Sequence, residues 1–213
     1  MMNKIHNMDC IEGMKQMDFK ADLLLTDPPY GIGESNEKNL SRGTLAKPKD
    51  YGHYEWDKEI PSTEYFKLIM EKSYNQVIFG GNYFLDHLGA TSCFIVWDKD
   101  NGDNDFADCE LAWTSFKSAV RRFKWRWNGM LQEKSIKEPR YHPTQKPLAL
   151  AIWIIENYSK PGDIIMDTHA GSGTFCLAAK LKGRQFIGFE KEEKYVKIAN
   201  ERLKQDNMNK WIS

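Results

Sequence analysis

No run of about eighteen apolar residues occurs anywhere in the 213 positions, so no segment reads as a membrane-spanning helix. Met1 is not followed by a charged-then-apolar leader, and the expected protein is soluble and intracellular. Cysteine is scarce and scattered. Cys10, Cys93, Cys109 and Cys176 form no CxxC pair, which excludes both a zinc knuckle and a secreted disulfide framework and leaves free thiols with no metal. Net charge is also lacking, with 30 basic residues against 30 acidic ones. A phosphate-bearing partner is held largely by clustered Lys and Arg, so this balance argues against one unless the charge is local. It is local: Asp98 to Glu110 carries six acids and one lysine, and Lys117 to Arg140 carries eight bases and two acids.

What is present alternates between short apolar runs and helical spacing. Strands are expected at Ala21–Thr26, Gln76–Phe79, Ser92–Trp97, Asp163–Met166 and Gln185–Phe189. Helices are expected at Glu64–Tyr74, capped by Ser62 or Thr63, and at Leu148–Tyr158, Thr174–Leu181 and Glu193–Gln205. Strands that alternate with helices imply an α/β fold, a mostly parallel twisted sheet covered by helices on both faces. One domain over residues 1–213 is the expected organisation. Arg122 to Trp127 alternates base and aromatic, which on a strand puts three cations on one face and three rings on the other, with Cys109–Phe116 as its expected pairing neighbour.

Two constellations carry chemistry. The first is Asp167-Thr168-His169-Ala170-Gly171-Ser172-Gly173-Thr174, set between a strand and a helix, with Glu190 closing the next strand nineteen residues beyond Gly171. Gly171 and Gly173 let the backbone turn tightly beside a ligand, and the Glu190 carboxylate can accept from both hydroxyls of a ribose. A third glycine is missing, Cys176 occupying its region, which favours an adenosine without a pyrophosphate and so S-adenosylmethionine. By itself the turn is weak evidence, since a Gly-rich turn can also serve packing alone. The second constellation is Asp27-Pro28-Pro29-Tyr30, placed just past a buried strand because two prolines cannot continue a ladder. An exocyclic amino group on a base has its lone pair delocalised into the ring and becomes nucleophilic when two acceptors hold its hydrogens. Asp27 supplies one acceptor and the Pro28 carbonyl the other, with Pro29 fixing the geometry. Tyr30 offers a ring on which an extruded base stacks, at about 1–3 kcal/mol per base, against an extrusion cost of a few kcal/mol.

These motifs and their order resemble the beta-class DNA amino-methyltransferases, especially the small phage- and prophage-type members. The resemblance rests on DPPY at Asp27–Tyr30, HPTQKP at His142–Pro147 and DTHAGSGT at Asp167–Thr174, and extends to NMDCIEGM at Asn7–Met14, WDK at Trp97–Lys99 and GFEKEEKYVKIANERL at Gly188–Leu203. It implies a Rossmann-like methyltransferase fold and methyl transfer from S-adenosylmethionine to an adenine in double-stranded DNA, in a bacterial or phage-infected cytoplasm. It further implies that Asp9 and Cys10 lie against the cofactor's adenine ring. Gly171, Ser172, Gly173 and Thr174 would line its methionine side beside Asp167, Glu190 would bind its ribose, and Thr144 and Lys146 would hold it from the other side. His169 stands where the family often has Phe, and reads as a stacking or core residue rather than a base.

Target recognition is expected from residues 31–61 and 101–140. Arg121, Arg122, Lys124 and Arg126 are the candidates for phosphate contact, though a solvated hairpin packing its rings inward would show the same pattern. A chain this short has short or relaxed sequence specificity, or pairs as a homodimer to cover its site. The same chemistry on a cytosine amino group or on RNA remains an alternative, as does a non-catalytic DNA-binding module that retains the fold. A nucleotide-dependent dehydrogenase is opposed by the absent third glycine and leaves DPPY unexplained.

Overall fold

A computed structural model describes residues 1–32, 59–102, 107–128, 131–133, 137–142 and 144–204. Most of the recognition region expected at 31–61, and parts of that at 101–140, lie outside these residues. Eight strands form one sheet: β1 (Lys4–Asn7), β2 (Ala21–Thr26), β3 (Ser73–Phe79), β4 (Phe94–Asp98), β5 (Cys109–Thr114), β6 (Arg121–Lys124), β9 (Ile164–Asp167) and β10 (Gln185–Glu190). Their spatial order is β1-β10-β9-β2-β3-β5-β4-β6, with β5 antiparallel to both neighbours and every other pairing parallel. A separate ribbon pairs β7 (Trp127–Asn128) with β8 (Leu131–Gln132).

Helices α1 (Cys10–Lys15), α2 (Thr63–Lys72), α3 (Leu85–Leu88), α4 (Leu148–Tyr158), α5 (Thr174–Leu181) and α6 (Glu193–Lys204) complete the layers. Strand β2 shows why its sequence is apolar throughout. Leu23 and Leu25 join the core with α4, α5 and α6, whereas Leu24 joins the opposite core with Tyr65, Phe66 and Ile69 of α2. A central parallel strand buried on both faces has no polar side to show. The α/β fold read from the sequence is the fold observed.

Three local expectations change. Helix α2 ends at Lys72, because Ser73 takes φ −140° and ψ 152° and already pairs with Ala21 in the sheet. Strand β5 lies between β3 and β4, so the segment expected to pair with the base–aromatic strand pairs elsewhere. β6 instead runs parallel to β4 and stops at Lys124, opposite Asp98, the last residue of β4. With no further partner residue the ladder ends, and Trp127 enters the separate ribbon.

Candidate active site

Strands β2 and β9 are parallel neighbours, so both deliver their last residues to the same edge of the sheet. Thr26 Oγ1 and Thr168 Oγ1 share a hydrogen bond of 2.8 Å, which places the Asp27 tetrapeptide directly beside the Asp167 glycine block. The two motifs, remote in sequence, converge.

Both oxygens of Asp27 are engaged. Tyr30 Oη donates to Oδ1 and Lys146 Nζ donates to Oδ2, each at 2.5 Å. Lys146 also lies 3.1 Å from Glu110 Oε2, and Lys99 Nζ lies 2.6 Å from Glu110 Oε1. Burial acts to lower the Lys146 pKa, yet Asp27 and Glu110 outweigh it and hold the ammonium charged. Burial pushes the Asp27 carboxyl up, and Lys146 pulls it only partly back. The Tyr30 ring stacks on Tyr83 with centroids 5.2 Å apart and meets Phe84 edge-on. Gly80, at φ +66°, passes so close that an added Cβ would sit 2.2 Å from Tyr30 Cε1, so a side chain is excluded there on two counts.

The glycine block turns between β9 and α5. Gly171 N–H donates to Glu190 Oε2 and Glu192 N–H to Glu190 Oε1, both at 2.8 Å, so the carboxylate closing β10 is fixed against the turn. The two glycines differ in purpose. A Cβ on Gly171 would meet only the His142 ring, 3.8 Å away, whereas one on Gly173 would lie 2.9 Å from Ala199 Cβ and 3.0 Å from Ile5 Cδ1. A Cβ on Gly171 would thus make only ordinary contact among the described residues, and Gly173 lets α6 and β1 pack against the turn. Burial, with Asp27 and Glu190 adding to it, pushes Asp167 up to about 8.

Asp9 caps α1, accepting from Ile11 N–H at 2.8 Å, and pairs with Lys191 at 2.5 Å. Cys10 opens the same helix and is buried, its thiol pushed up to about 12. His169 lies edge-on to Tyr65 at 5.4 Å, and burial drives it down to about 4, which keeps the ring neutral. Thr144 Oγ1 bonds His142 Nδ1 at 3.1 Å. Lys146 therefore faces Asp27 and Glu110, while the residues that touch the glycine turn from the His142 block are His142 and Gln145, whose Oε1 accepts from Ser172 Oγ at 3.1 Å.

Sequence reasoning missed Glu110, Glu138, Gln145 and Arg202. Arg202 Nη1 donates to Ser172 O, Ser172 Oγ and Thr174 Oγ1, and its Nη2 reaches Glu138 Oε1 at 3.3 Å. A signal for it existed. Tyr195, Val196, Ala199 and Leu203 make the buried stripe of α6, and Arg202 falls on that stripe.

The four phosphate candidates are exposed. Arg126 and Lys124 both pair with Asp100, at 2.6 and 2.9 Å, and Arg122 lies 3.8 Å from Asp98. Phe123 stacks on Trp125 and contacts Trp153, so the rings face the core while the cations stay outside.

A family model described as DNA methylase, of the N6/N4 methyltransferase type, matches residues 96–201. The chain is 28% identical over 255 aligned positions to Type II methyltransferase M.HinfI of Haemophilus influenzae, covering 98% of this chain and 70% of that protein. A shorter match, to Type II methyltransferase M2.DpnII of Streptococcus pneumoniae, is 47% identical over 81 residues, or 38% of this chain and 30% of that protein. The crystal structure of the M1.HpyAVI–SAM complex superposes with a TM-score of 0.62 at 29% identity, covering 95% of this chain and 99% of that one.

Proposed function

We propose, from the premise that this chain belongs to the DNA methylase family and is an S-adenosylmethionine-dependent DNA amino-methyltransferase, that its acceptor is the exocyclic amino group of an adenine extruded from double-stranded DNA. The observation that carries the reading is the 2.8 Å bond between Thr26 and Thr168, which seats the acceptor carboxylate beside the glycine turn.

The residues present fit the cofactor. No described residue crowds Gly171 more closely than the His142 ring, and Glu190, held by two backbone donors, keeps lone pairs on both oxygens for two ribose hydroxyls. When bound, S-adenosylmethionine supplies an electrophilic methyl group on a positively charged sulfur. Every other requirement falls on the chain. A carboxylate offers about four acceptor sites, and Tyr30 and Lys146 use two of those on Asp27, so the amine's hydrogen still finds an acceptor. The Pro28 carbonyl is the second acceptor in this reading, and the Tyr30 ring is the stacking surface. Residues 1–213 act as one methyltransferase domain in the cytoplasm, with 31–61 and 101–140 reading the target and Arg121, Arg122, Lys124 and Arg126 meeting phosphates. A second copy of the chain would enlarge that contact surface.

The test is incubation with tritiated S-adenosylmethionine and unmethylated duplex DNA, followed by nucleoside analysis. N6-methyl-2′-deoxyadenosine is the expected product, and label on deoxycytidine alone would overturn the choice of base. Asp27→Asn is expected to lower transfer by about 10²-fold or more while binding S-adenosylhomocysteine like the wild type. Wild-type turnover in that variant would remove Asp27 from the chemistry.

A further inference from the structure

Four charged groups of alternating sign run back from the tetrapeptide: Asp27, Lys146, Glu110 and Lys99, with contacts of 2.5, 3.1 and 2.6 Å in that order. The side chain of Lys146 is only 6% exposed, and its other close neighbours are the rings of Phe79 and Tyr30, at 5.1 and 5.9 Å. Its ammonium therefore has two carboxylates to divide itself between. Glu110 sits on β5 opposite Trp97, and an ionic row that is buried at Lys146 and half-buried on either side of it costs desolvation that an apolar pair would not. Stability does not account for it well, whereas the state of Asp27 does depend on it. An ammonium given wholly to Asp27 would withdraw the electron density that an N–H needs to bond; one shared with Glu110 withdraws less.

Resting on the amino-methyltransferase reading above, we propose that Glu110 is a positioning residue for methyl transfer: acting through Lys146, it draws the ammonium partly off Asp27 and keeps that carboxylate a strong acceptor for the target amine. Lys99 limits the effect from the far side by neutralising part of the Glu110 charge. The groups that set the Asp27 charge are then Lys146 and Tyr30 in direct contact, with Glu110 behind the lysine and Asp167 on the neighbouring strand.

Two substitutions move Asp27 in opposite directions. Glu110→Gln leaves Lys146 to Asp27 alone, so the Asp27 carboxylate is held more tightly as the anion. The plateau of single-turnover transfer to unmethylated plasmid DNA should fall by about 10-fold, part of the roughly 10²–10⁴-fold that acid–base groups contribute, and the acid limb of kcat/KM should move to lower pH. Lys99→Met leaves the Glu110 charge less compensated, and the acid limb should move to higher pH. Both variants should bind S-adenosylhomocysteine calorimetrically as the wild type does. A purely structural role would reduce the active fraction without moving either limb. If Glu110→Gln does not fold, the upward shift in Lys99→Met decides alone. Coincident limbs in an active wild type and its variants would overturn the assignment, whereas a wild type that transfers no methyl to DNA would overturn the methyltransferase reading instead.

Discussion

Replacing Arg202 by Met removes the cation that, among the described residues, ties α6 to the glycine turn. The guanidinium is 1% exposed, makes its bonds to Ser172 and Thr174 at 2.6, 2.9 and 3.1 Å, and lies 5.1 Å above the Tyr141 ring. Methionine fills the stem's volume but donates nothing. Glu138, also buried, keeps Gln145 Nε2 and Leu148 N–H as donors and loses its counter-ion. Stripping one partner from a buried pair costs about 3–5 kcal/mol, because the remaining charge stays desolvated. Against a total stability of about 5–15 kcal/mol that is a large share. At about 2–4 °C per kcal/mol for a chain of this size, Tm should drop by roughly 6–20 °C.

The sign of the pH dependence follows from Glu138. Burial already raises its pKa and Arg202 draws it back, so removing Arg202 raises it further. A carboxyl whose folded pKa exceeds its unfolded one binds a proton on folding. The Arg202→Met deficit should therefore shrink as pH falls through the folded value of Glu138 and be full above it. Adding Glu138→Gln removes the stranded charge, and the double variant should recover about 1–3 kcal/mol relative to additivity. Thermal melts at several pH values across the four proteins measure all of this. A single-variant loss under about 1 kcal/mol, or a deficit independent of pH, would refute the reasoning.

Glu190→Gln should weaken S-adenosylhomocysteine binding by about 1–3 kcal/mol, or roughly 5- to 150-fold in Kd, since an amide cannot accept on both sides as the carboxylate does; unaltered calorimetric affinity would count against the ribose role. The Lys124→Gln/Arg126→Gln double variant should flatten the plot of log affinity for duplex DNA against log salt by about 1.8, if both side chains leave Asp100 for phosphates. An unchanged slope would mean that they stay with Asp100.

The sheet was legible because its central strands are buried on both faces and so are apolar without interruption, as in ADLLLT at Ala21–Thr26. Helices α4 and α5 were readable to the residue, since Pro147 precedes one and Gly173 the other, and both positions break what came before. Sheet order was not. Nothing in the residues Cys109–Thr114 says that the strand inserts between β3 and β4, because that choice is made by contacts distant in the chain. The site divides in the same way. Asp27, Tyr30, Gly171 and Glu190 announce themselves by residue type and spacing, whereas Glu110 and Glu138 sit in charged stretches that read as solvated. Lys146 was visible, but its partner was not: the sequence offers no means of telling an ammonium facing a cofactor from one facing the Asp27 carboxylate.

The balanced net charge looked unfavourable for a DNA enzyme, and the structure shows where five of the 30 basic side chains are used. Lys146 and Arg202 are buried, Lys99 is committed to Glu110, and Lys124 and Arg126 both rest on Asp100. Counting cations therefore overstates what is free to meet phosphates, and counting acids overstates what repels them, since Glu110, Glu138 and Asp100 are each neutralised by a neighbour. The same pairs have a second consequence. The region expected to read the target begins just after Lys99, whose ion pair leads through Glu110 and Lys146 to Asp27, and it ends at Arg140, two residues beyond Glu138, whose ion pair leads through Arg202 to Ser172. Both ends of that region are thus linked by charge, one to Asp27 and the other to the glycine turn.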